Sequence, residues 1–165
     1  MITIILPGEP RGKGRPRSRV AWTKADKPFV AVYTDSDTRK YETALAWAAK
    51  AAMRGKPPME GPVTLYVEAH FPVPASWSNK KRDAALAGTV RPTGSPDWDN
   101  LGKMTDAFKS IVWRDDSLVV DARVVKLYAE TPMLRVEVRE AVPWTVELPE
   151  DEAEQGGERR TSATA

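Results

Sequence analysis

The sequence lacks cysteine and contains a single histidine, His70, among its 165 residues. The absence of cysteine excludes disulfides, a thiol nucleophile and a thiolate metal site. One histidine excludes a zinc site built from several histidines and disfavours a histidine-based triad. His70 lies on the polar side of a predicted strand, where a structural role is the simpler interpretation. Carboxylates, lysines and arginines are therefore the chemical groups on which a function would depend.

Long hydrophobic runs are also missing, and no stretch is long enough to span a membrane. The opening residues MITIILPGEP lack the basic start and the long apolar stretch of a signal peptide. We therefore expect a soluble protein of the cytoplasm that does not interact with membranes. The Walker A pattern is absent as well, and no motif indicates a small-molecule cofactor.

The net charge of +2 conceals two regions of opposite sign. From Val146 to Ala165, six acidic residues stand against two arginines, which gives −4 and leaves +6 for the preceding residues. The acidic end has almost no apolar side chains, which is typical of disorder. We predict one folded domain over residues 1–143 and an acidic, disordered tail over residues 144–165.

Periodicity predicts an α+β fold, with a small mixed or antiparallel β-sheet and about three helices. The predicted strands are Ile2–Leu6, Val20–Trp22, Phe29–Tyr33, Val63–Phe71, Leu118–Tyr128 and Met133–Glu140. The predicted helices are Ser36–Arg54, Trp77–Leu86 with Ser76 as its cap, and one that starts near Asp97 and reaches Ile111.

The segment PDWDNLGKMTDAFKSIVWRDDS, residues 96–117, is the most informative part of the chain because it gathers five aspartates around Lys103. Like charges at this density repel one another. Mg²⁺ offers a reason to gather them, since it takes oxygen ligands and tolerates several carboxylates. A metal site beside a lysine indicates phosphate chemistry.

Helical spacing gives a simpler interpretation of the same residues. One stripe would carry Asp99, Lys103, Asp106 and Ser110, and the opposite face would bury Leu101, Met104, Phe108 and Ile111. The stripe could be a solvated ladder of ion pairs with an aspartate as the helix cap. However, Asp97 and Asp99 cannot both be the cap, and Asp115 and Asp116 fall past the helix end. Trp98 lies between the first two aspartates, where it would either orient them or stack on a base.

A basic loop near the start of the chain is the second candidate. Its cations are Arg11, Lys13, Arg15, Arg17 and Arg19, and glycines separate several of them. Opposite a metal site, such a loop would neutralise a nucleic-acid backbone; alone, it would be a solvated arm. Lys80 and Lys81 could extend this surface, although a short basic patch on a helix often serves only solubility.

These pieces together resemble the RusA family of Holliday-junction resolvases, which are crossover-junction endodeoxyribonucleases often encoded by phages and prophages. The resemblance covers roughly residues 3–140. It rests on the ordered pieces GEPRGKGRPR, DWDNLGK, DAF and WRDDS, followed by Lys126 in the next strand.

The resemblance implies a RusA-like homodimer that cuts four-way DNA junctions with Mg²⁺, or with Mn²⁺ as a substitute, during recombination and repair in a bacterial or phage-infected cell. Asp97, Asp99 and Asp116 would bind the metal, and Lys103 would be catalytic with them. Asp106 and Asp115 are candidates for supporting positions beside these groups.

Three alternatives stay open at this point. A nuclease for flaps or other branched DNA would share every motif, and a noncatalytic branched-DNA-binding protein would need only the basic loop. A restriction-like nuclease would pair Pro96-Asp97 with a D/E-x-K element, for which the sequence offers no convincing partner.

Overall fold

The computed structural model describes residues 1–15 and 17–143, and the predicted tail at 144–165 lies outside them. The α+β prediction is confirmed. The strands are β1 (Ile2–Pro7), β2 (Arg17–Trp22), β3 (Pro28–Tyr33), β4 (Val63–Pro72), β5 (Val119–Ala129) and β6 (Met133–Glu140). The α-helices are α1 (Ser36–Met53), α2 (Asn79–Leu86) and α3 (Trp98–Gly102), and two 3-10 helices span Lys103–Phe108 and Asp116–Leu118.

A mixed four-stranded sheet, in the order β1-β6-β4-β5, forms the centre of the fold. β4 runs antiparallel to β6 and parallel to β5, while β6 pairs with β1 in antiparallel register. Ile4, Val136, Val67 and Val124 are successive partners across the four strands. This row lies on the core side, because Val67 and Val136 are fully buried. The clean alternation predicted for β4 is confirmed by its burial pattern.

The helices cover this side of the sheet through large apolar side chains. Leu45 of α1, Leu101 of α3 and Phe108 have no exposed surface. Trp113, which follows the first 3-10 helix, is 1% exposed and meets the Phe108 ring edge to face at 5.7 Å. Fully burying each such side chain contributes roughly 1.5–3 kcal/mol, so this cluster anchors the acidic segment to the core.

Helix ends differ slightly from the predictions. α1 begins as predicted at Ser36, where Asp35 caps it by accepting hydrogen bonds from the backbone of Asp37 and Thr38. α2 begins at Asn79 after Ser78, so the predicted start at Trp77 is two residues too early. No helix within residues 1–15 and 17–143 has the length and apolar character needed to cross a membrane.

The long helix predicted for the acidic segment is wrong. α3 ends at Gly102, and a 3-10 helix continues to Phe108. The Lys109 backbone N–H donates to the Asp106 carbonyl at 3.2 Å, which is the i to i−3 spacing of the tighter helix. Ser110 has a φ of 60° and lies beyond the helix, so the four-residue stripe does not form.

β2 and β3 form a separate two-stranded hairpin, with Val20 opposite Val30. Among the described residues, no other helix or strand makes extensive contact with it. Val20, Trp22, Val30 and Val32 share one face and are 62–67% exposed. An isolated hairpin is at best marginally stable in water, so this element should add little to the stability of the rest of the domain.

Candidate active site

Asp97 occupies the N-cap position of α3 without acting as a side-chain cap. Its backbone is extended, with φ −67° and ψ 153°, and its carboxylate makes no capping hydrogen bond. Within the described parts of the chain the carboxylate forms neither an ion pair nor a side-chain hydrogen bond, and the residue is exposed. The Asp97 carboxylate is thus not a helix cap, and it is without a side-chain partner in the part of the chain that the structure describes.

Asp99 and Lys103 form an ion pair one helical turn further on. The ammonium lies 2.9 Å from Asp99 Oδ2, and the two side chains are 57% and 43% exposed for Lys103 and Asp99 respectively. The hydrogen bond from Lys103 lowers the pKa of Asp99 below its ordinary value. This part of the predicted ladder exists, but Asp106 does not join it.

Asp115 and Asp116 form a second acidic group, centred on Lys109. The Lys109 ammonium lies 2.6 Å from Asp115 and 3.9 Å from Asp116. Lys109, together with the backbone N–H of Ser117, lowers the pKa of Asp115 to about 2. Asp116 accepts a hydrogen bond of 2.9 Å from Trp113 Nε1. Because the Trp113 ring is buried, this bond fixes the Asp116 carboxylate relative to the core.

Residues 8–15, which we call the basic strap, lie against the loop before α3. The Lys13 N–H donates to the Asn100 carbonyl at 2.8 Å. A Cβ atom on Gly12 would lie 2.6 Å from Pro96 Cβ and 3.1 Å from Asn100 Cβ. Only glycine permits this approach, so the strap is packed beside Asp97 and Asp99 instead of being a free arm.

The strap cations have unequal surroundings. Lys13 lies 2.7 Å from Asp106 and 3.3 Å from Glu42. Burial lowers the pKa of Lys13, but hydrogen bonds and charge attraction from both carboxylates outweigh burial, and the net effect is a raised pKa. Arg11 lies 3.6 Å from Asp37. Much of the charge of these two cations is therefore already balanced within the protein.

The other predicted phosphate contacts are less constrained. Arg15 is exposed and has no ion-pair partner in the described residues. Arg19 lies over the Tyr33 ring, 5.8 Å from its centroid. Lys81 covers the Trp77 ring at 3.8 Å, and Lys80 is exposed on the same helix. The side chain of Arg17 is outside the description.

The candidate metal ligands fall into two groups. Asp97 and Asp99 lie on α3, while Asp116 lies with Lys109, and no ion pair of the described chain joins them. In the same residues, no set of three or more His, Cys, Asp or Glu side chains is close enough to hold a metal ion as it stands. The donor chemistry nevertheless fits Mg²⁺, because the three aspartates offer only hard oxygen ligands. The side chains of Asp99 and Asp116 are also 43% and 42% exposed, so an ion can reach them.

Several contributing residues were not assigned a role from sequence. Lys109 forms an ion pair with Asp115, and Trp113 donates a hydrogen bond to Asp116. Gly12 allows the strap to lie close to Pro96. The i to i+3 spacing of Trp113 and Asp116 is a local signal that could have suggested their hydrogen bond. Gly12 carries no such signal, because its neighbour Pro96 is distant in sequence.

Comparison with known proteins shows the family of the chain. The family model described as "Endodeoxyribonuclease RusA" matches residues 7–139. A curated relative, "Uncharacterized protein YqaN" of Bacillus subtilis (strain 168), is 36% identical over 144 residues, which cover 84% of this chain and 96% of that protein. The matched range includes the strap, both aspartate groups and Lys103. The chain therefore belongs to the RusA endodeoxyribonuclease family.

Proposed function

We propose that this protein is a Mg²⁺-dependent endodeoxyribonuclease that hydrolyses phosphodiester bonds in four-way junction DNA during recombination and repair. Family membership supports the reaction class. The observation that carries the proposal is the juxtaposition of Asp97, Asp99 and Lys103 with the packed basic strap. Such a surface presents carboxylates for a metal beside cations for a DNA backbone.

Asp97, Asp99 and Asp116 are the proposed ligands of Mg²⁺, for which Mn²⁺ can substitute. When bound, the ion supplies charge stabilisation at the phosphoryl oxygens and favours ionisation of water at neutral pH. Asp97 is suited to this role because it has no competing protein partner among the described residues. Trp113 keeps Asp116 oriented, and Asp115 and Asp106 hold the nearby lysines Lys109 and Lys13.

Lys103 is the proposed catalytic cation. Its side chain is 57% exposed and its ammonium is held by Asp99 at 2.9 Å, so the ammonium can donate to a phosphoryl oxygen without leaving the helix. A preorganised donor of this kind stabilises the negative charge that develops in the transition state.

DNA would bind along the strap and the adjoining hairpin. Arg15, Arg17 and Arg19 are the proposed principal phosphate contacts, with Lys80 and Lys81 extending the surface. Lys13 and Arg11 would contribute more weakly, because carboxylates already balance them. A two-fold homodimer would present two such sites and make symmetric cuts. The reaction would take place inside a bacterial or phage-infected cell.

Cleavage of labelled DNA tests this function. The wild type, with Mg²⁺, should cut a four-way junction faster than a flap or a duplex. Asp97→Asn, Asp99→Asn and Asp116→Asn should each bind the junction but not cut it, while Asp121→Asn on β5 should cut normally. Faster cutting of flaps would instead indicate a nuclease for other branched DNA. Binding without cutting in any divalent metal would indicate a noncatalytic protein.

A further inference from the structure

Lys126 of β5 reaches from the sheet to the loop that precedes the first aspartate. Its ammonium donates hydrogen bonds to the Pro96 carbonyl at 2.9 Å and to the Gly94 carbonyl. The Pro96 carbonyl belongs to the peptide unit that ends at the nitrogen of Asp97. Because that unit is planar, fixing its oxygen also fixes where the backbone of Asp97 begins.

The same residue holds the other end of the loop. The Lys126 carbonyl accepts a hydrogen bond of 3.0 Å from Arg91 Nε. Its register partner on β4 is Ala69, which is fully buried, so the lysine stem lies on the core side of the sheet. The ammonium is 5.7 Å from the centroid of the Phe71 ring. One strand residue therefore ties down both ends of residues 91–96.

Pro96 is held from a second side by the strap. Gly12 approaches it so closely that an added Cβ would lie 2.6 Å from Pro96 Cβ. α3 has only five residues and no side-chain cap, so it cannot fix its own starting point. The direction in which Asp97 and Asp99 project thus depends on these two supports.

The charge of Lys126 is not required for packing. Among the described residues it has no acidic ion-pair partner, and its hydrogen bonds go to neutral carbonyls. A half-buried ammonium without a counter-ion is costly compared with an apolar side chain of similar length. The charge therefore has another use, and the residue that follows its Pro96 acceptor is Asp97, a carboxylate with no ion pair among the described residues.

We propose that Lys126 is a positioning residue for the metal site. It orients Asp97 and Asp99 through the Pro96 and Gly94 carbonyls, and its charge partly offsets the repulsion between the two carboxylates. This inference rests on the proposed function, since it assigns these aspartates to the metal. Lys126 itself touches neither metal nor DNA.

Lys126→Met, which keeps the stem and removes the ammonium, provides the test. The Mg²⁺ concentration for half-maximal single-turnover cleavage should rise by roughly 10–100-fold, as when an outer partner of a metal ligand is removed. In the metal-free protein, amide hydrogen exchange should accelerate within residues 91–103 and nowhere else. Junction affinity should stay within about threefold. Lys126→Arg should restore most of the Mg²⁺ response, because it keeps both charge and donors.

Arg123→Met is the matched control. Arg123 lies on the same strand, three residues away, and covers the Tyr66 ring on the other side of the sheet. This variant also removes one positive charge from β5 without touching the loop. Its Mg²⁺ response and its exchange in residues 91–103 should equal those of the wild type.

Two results would overturn the proposal. One is a Lys126→Met protein with wild-type exchange and Mg²⁺ response. The other is faster exchange throughout the sheet with an unchanged Mg²⁺ response, which would make Lys126 a scaffold residue only. If Lys126→Met does not fold, Lys126→Gln carries the same test with a neutral donor. If the wild type cuts no DNA, the proposed function fails, while Mn²⁺ affinity and exchange still decide the role of Lys126.

Discussion

The basic strap and the β2–β3 hairpin are neighbours in sequence, and both are basic, yet the fold treats them differently. The strap is fixed by backbone bonds from Gly8 to Pro132 and from Lys13 to Asn100, and by the Lys13–Asp106 ion pair. The hairpin pairs only with itself and exposes its apolar face. Charge composition alone therefore does not distinguish a cation that builds a site from one that is free to bind a ligand.

This difference divides the cations by role. At Gly12 and Lys13 of the strap, close packing and carboxylates hold the chain against its surroundings, so substitutions there should change the stability of the domain. Arg15, which has no ion-pair partner in the described residues, and the hairpin cations should instead affect DNA binding and leave the domain stable. The predictions on Gly12, Lys13, Arg15 and Arg19 test this division.

Among the variants below, the largest effect should come from Lys103, which Asp99 holds at 2.9 Å. Lys103→Ala should lower the single-turnover rate of junction cleavage by roughly 100-fold or more, as the loss of one preorganised donor typically does. Lys103→Arg should recover part of the rate, because it keeps charge but changes shape. An exposed ion pair contributes only about 0.3–0.5 kcal/mol, so the melting temperature should hardly change.

Lys50→Ala is the control for Lys103, since Lys50 lies in the last turn of α1 over the Trp47 ring, 5.2 Å away. Its cleavage rate should equal that of the wild type. A Lys103→Ala rate within a few-fold of wild type would return Lys103 to the simple ladder of surface charges.

The next effect should come from filling the contact between the strap and Pro96. Gly12→Ala should destabilise the protein by about 1–3 kcal/mol, as overpacking commonly does, and should slow cleavage by shifting Asp97. Gly61→Ala is the matched control, because no atom lies within 4 Å of its added Cβ. Urea unfolding and single-turnover rates measure the two consequences. Equal stability of both variants would show that the strap is not packed as described.

A smaller effect is expected from the free cations. Arg15→Ala and Arg19→Ala should each lower the log–log salt slope of junction binding by ~0.9 without changing the melting temperature. Lys13→Ala should behave in the opposite way, with a lower melting temperature and little change in slope, because Asp106 and Glu42 lose their cation. Identical slopes for all three variants would remove the distinction between the carboxylate-paired Lys13 and the unpaired cations.

The smallest effect concerns pH. The pKa of Asp115 in the folded protein is about 2, below the roughly 3.9 of an unfolded aspartate. A lowered carboxyl pKa contributes stability that is present above about pH 4 and is lost as the pH falls through about 2. Lys109→Met should raise the pKa of Asp115 and reduce this acid dependence. Carboxyl chemical shifts, followed by NMR from pH 5 to acid, provide the measurement, and an unmoved Asp115 titration would contradict the pairing.

Local patterns predicted the sheet and α1 well, because alternation in β4 and helical spacing in α1 are each set by one buried side of one element. The same reasoning failed in the acidic segment. Leu101, Met104 and Phe108 are buried as expected, but their spacing of three and four residues fits a 3-10 continuation as well as an α-helix. The backbone hydrogen bond from Lys109 to Asp106 has the 3-10 spacing, and periodicity of the side chains does not reveal it.

The supports of the candidate site are the least predictable part. Lys13 and Asp106 are 93 residues apart, and Lys126 and Pro96 are 30 apart. Such partners meet only once the sheet has formed, so neither spacing nor composition identifies them. The sequence motif was enough to identify the aspartates and Lys103 as candidates. The residues that hold them in place could be identified only from the folded structure.

The two ends of the hairpin lie close together, and this closeness has a consequence for how the chain can vary. Arg17 and Tyr33, its first and last residues, are register partners, so their Cα atoms lie roughly 5 Å apart. One or two residues span that gap, and intervening sequence can therefore be lengthened, shortened or exchanged while the strap and α1 stay in place. Changes in the hairpin can therefore accumulate without disturbing the strap, α1 or the candidate active site.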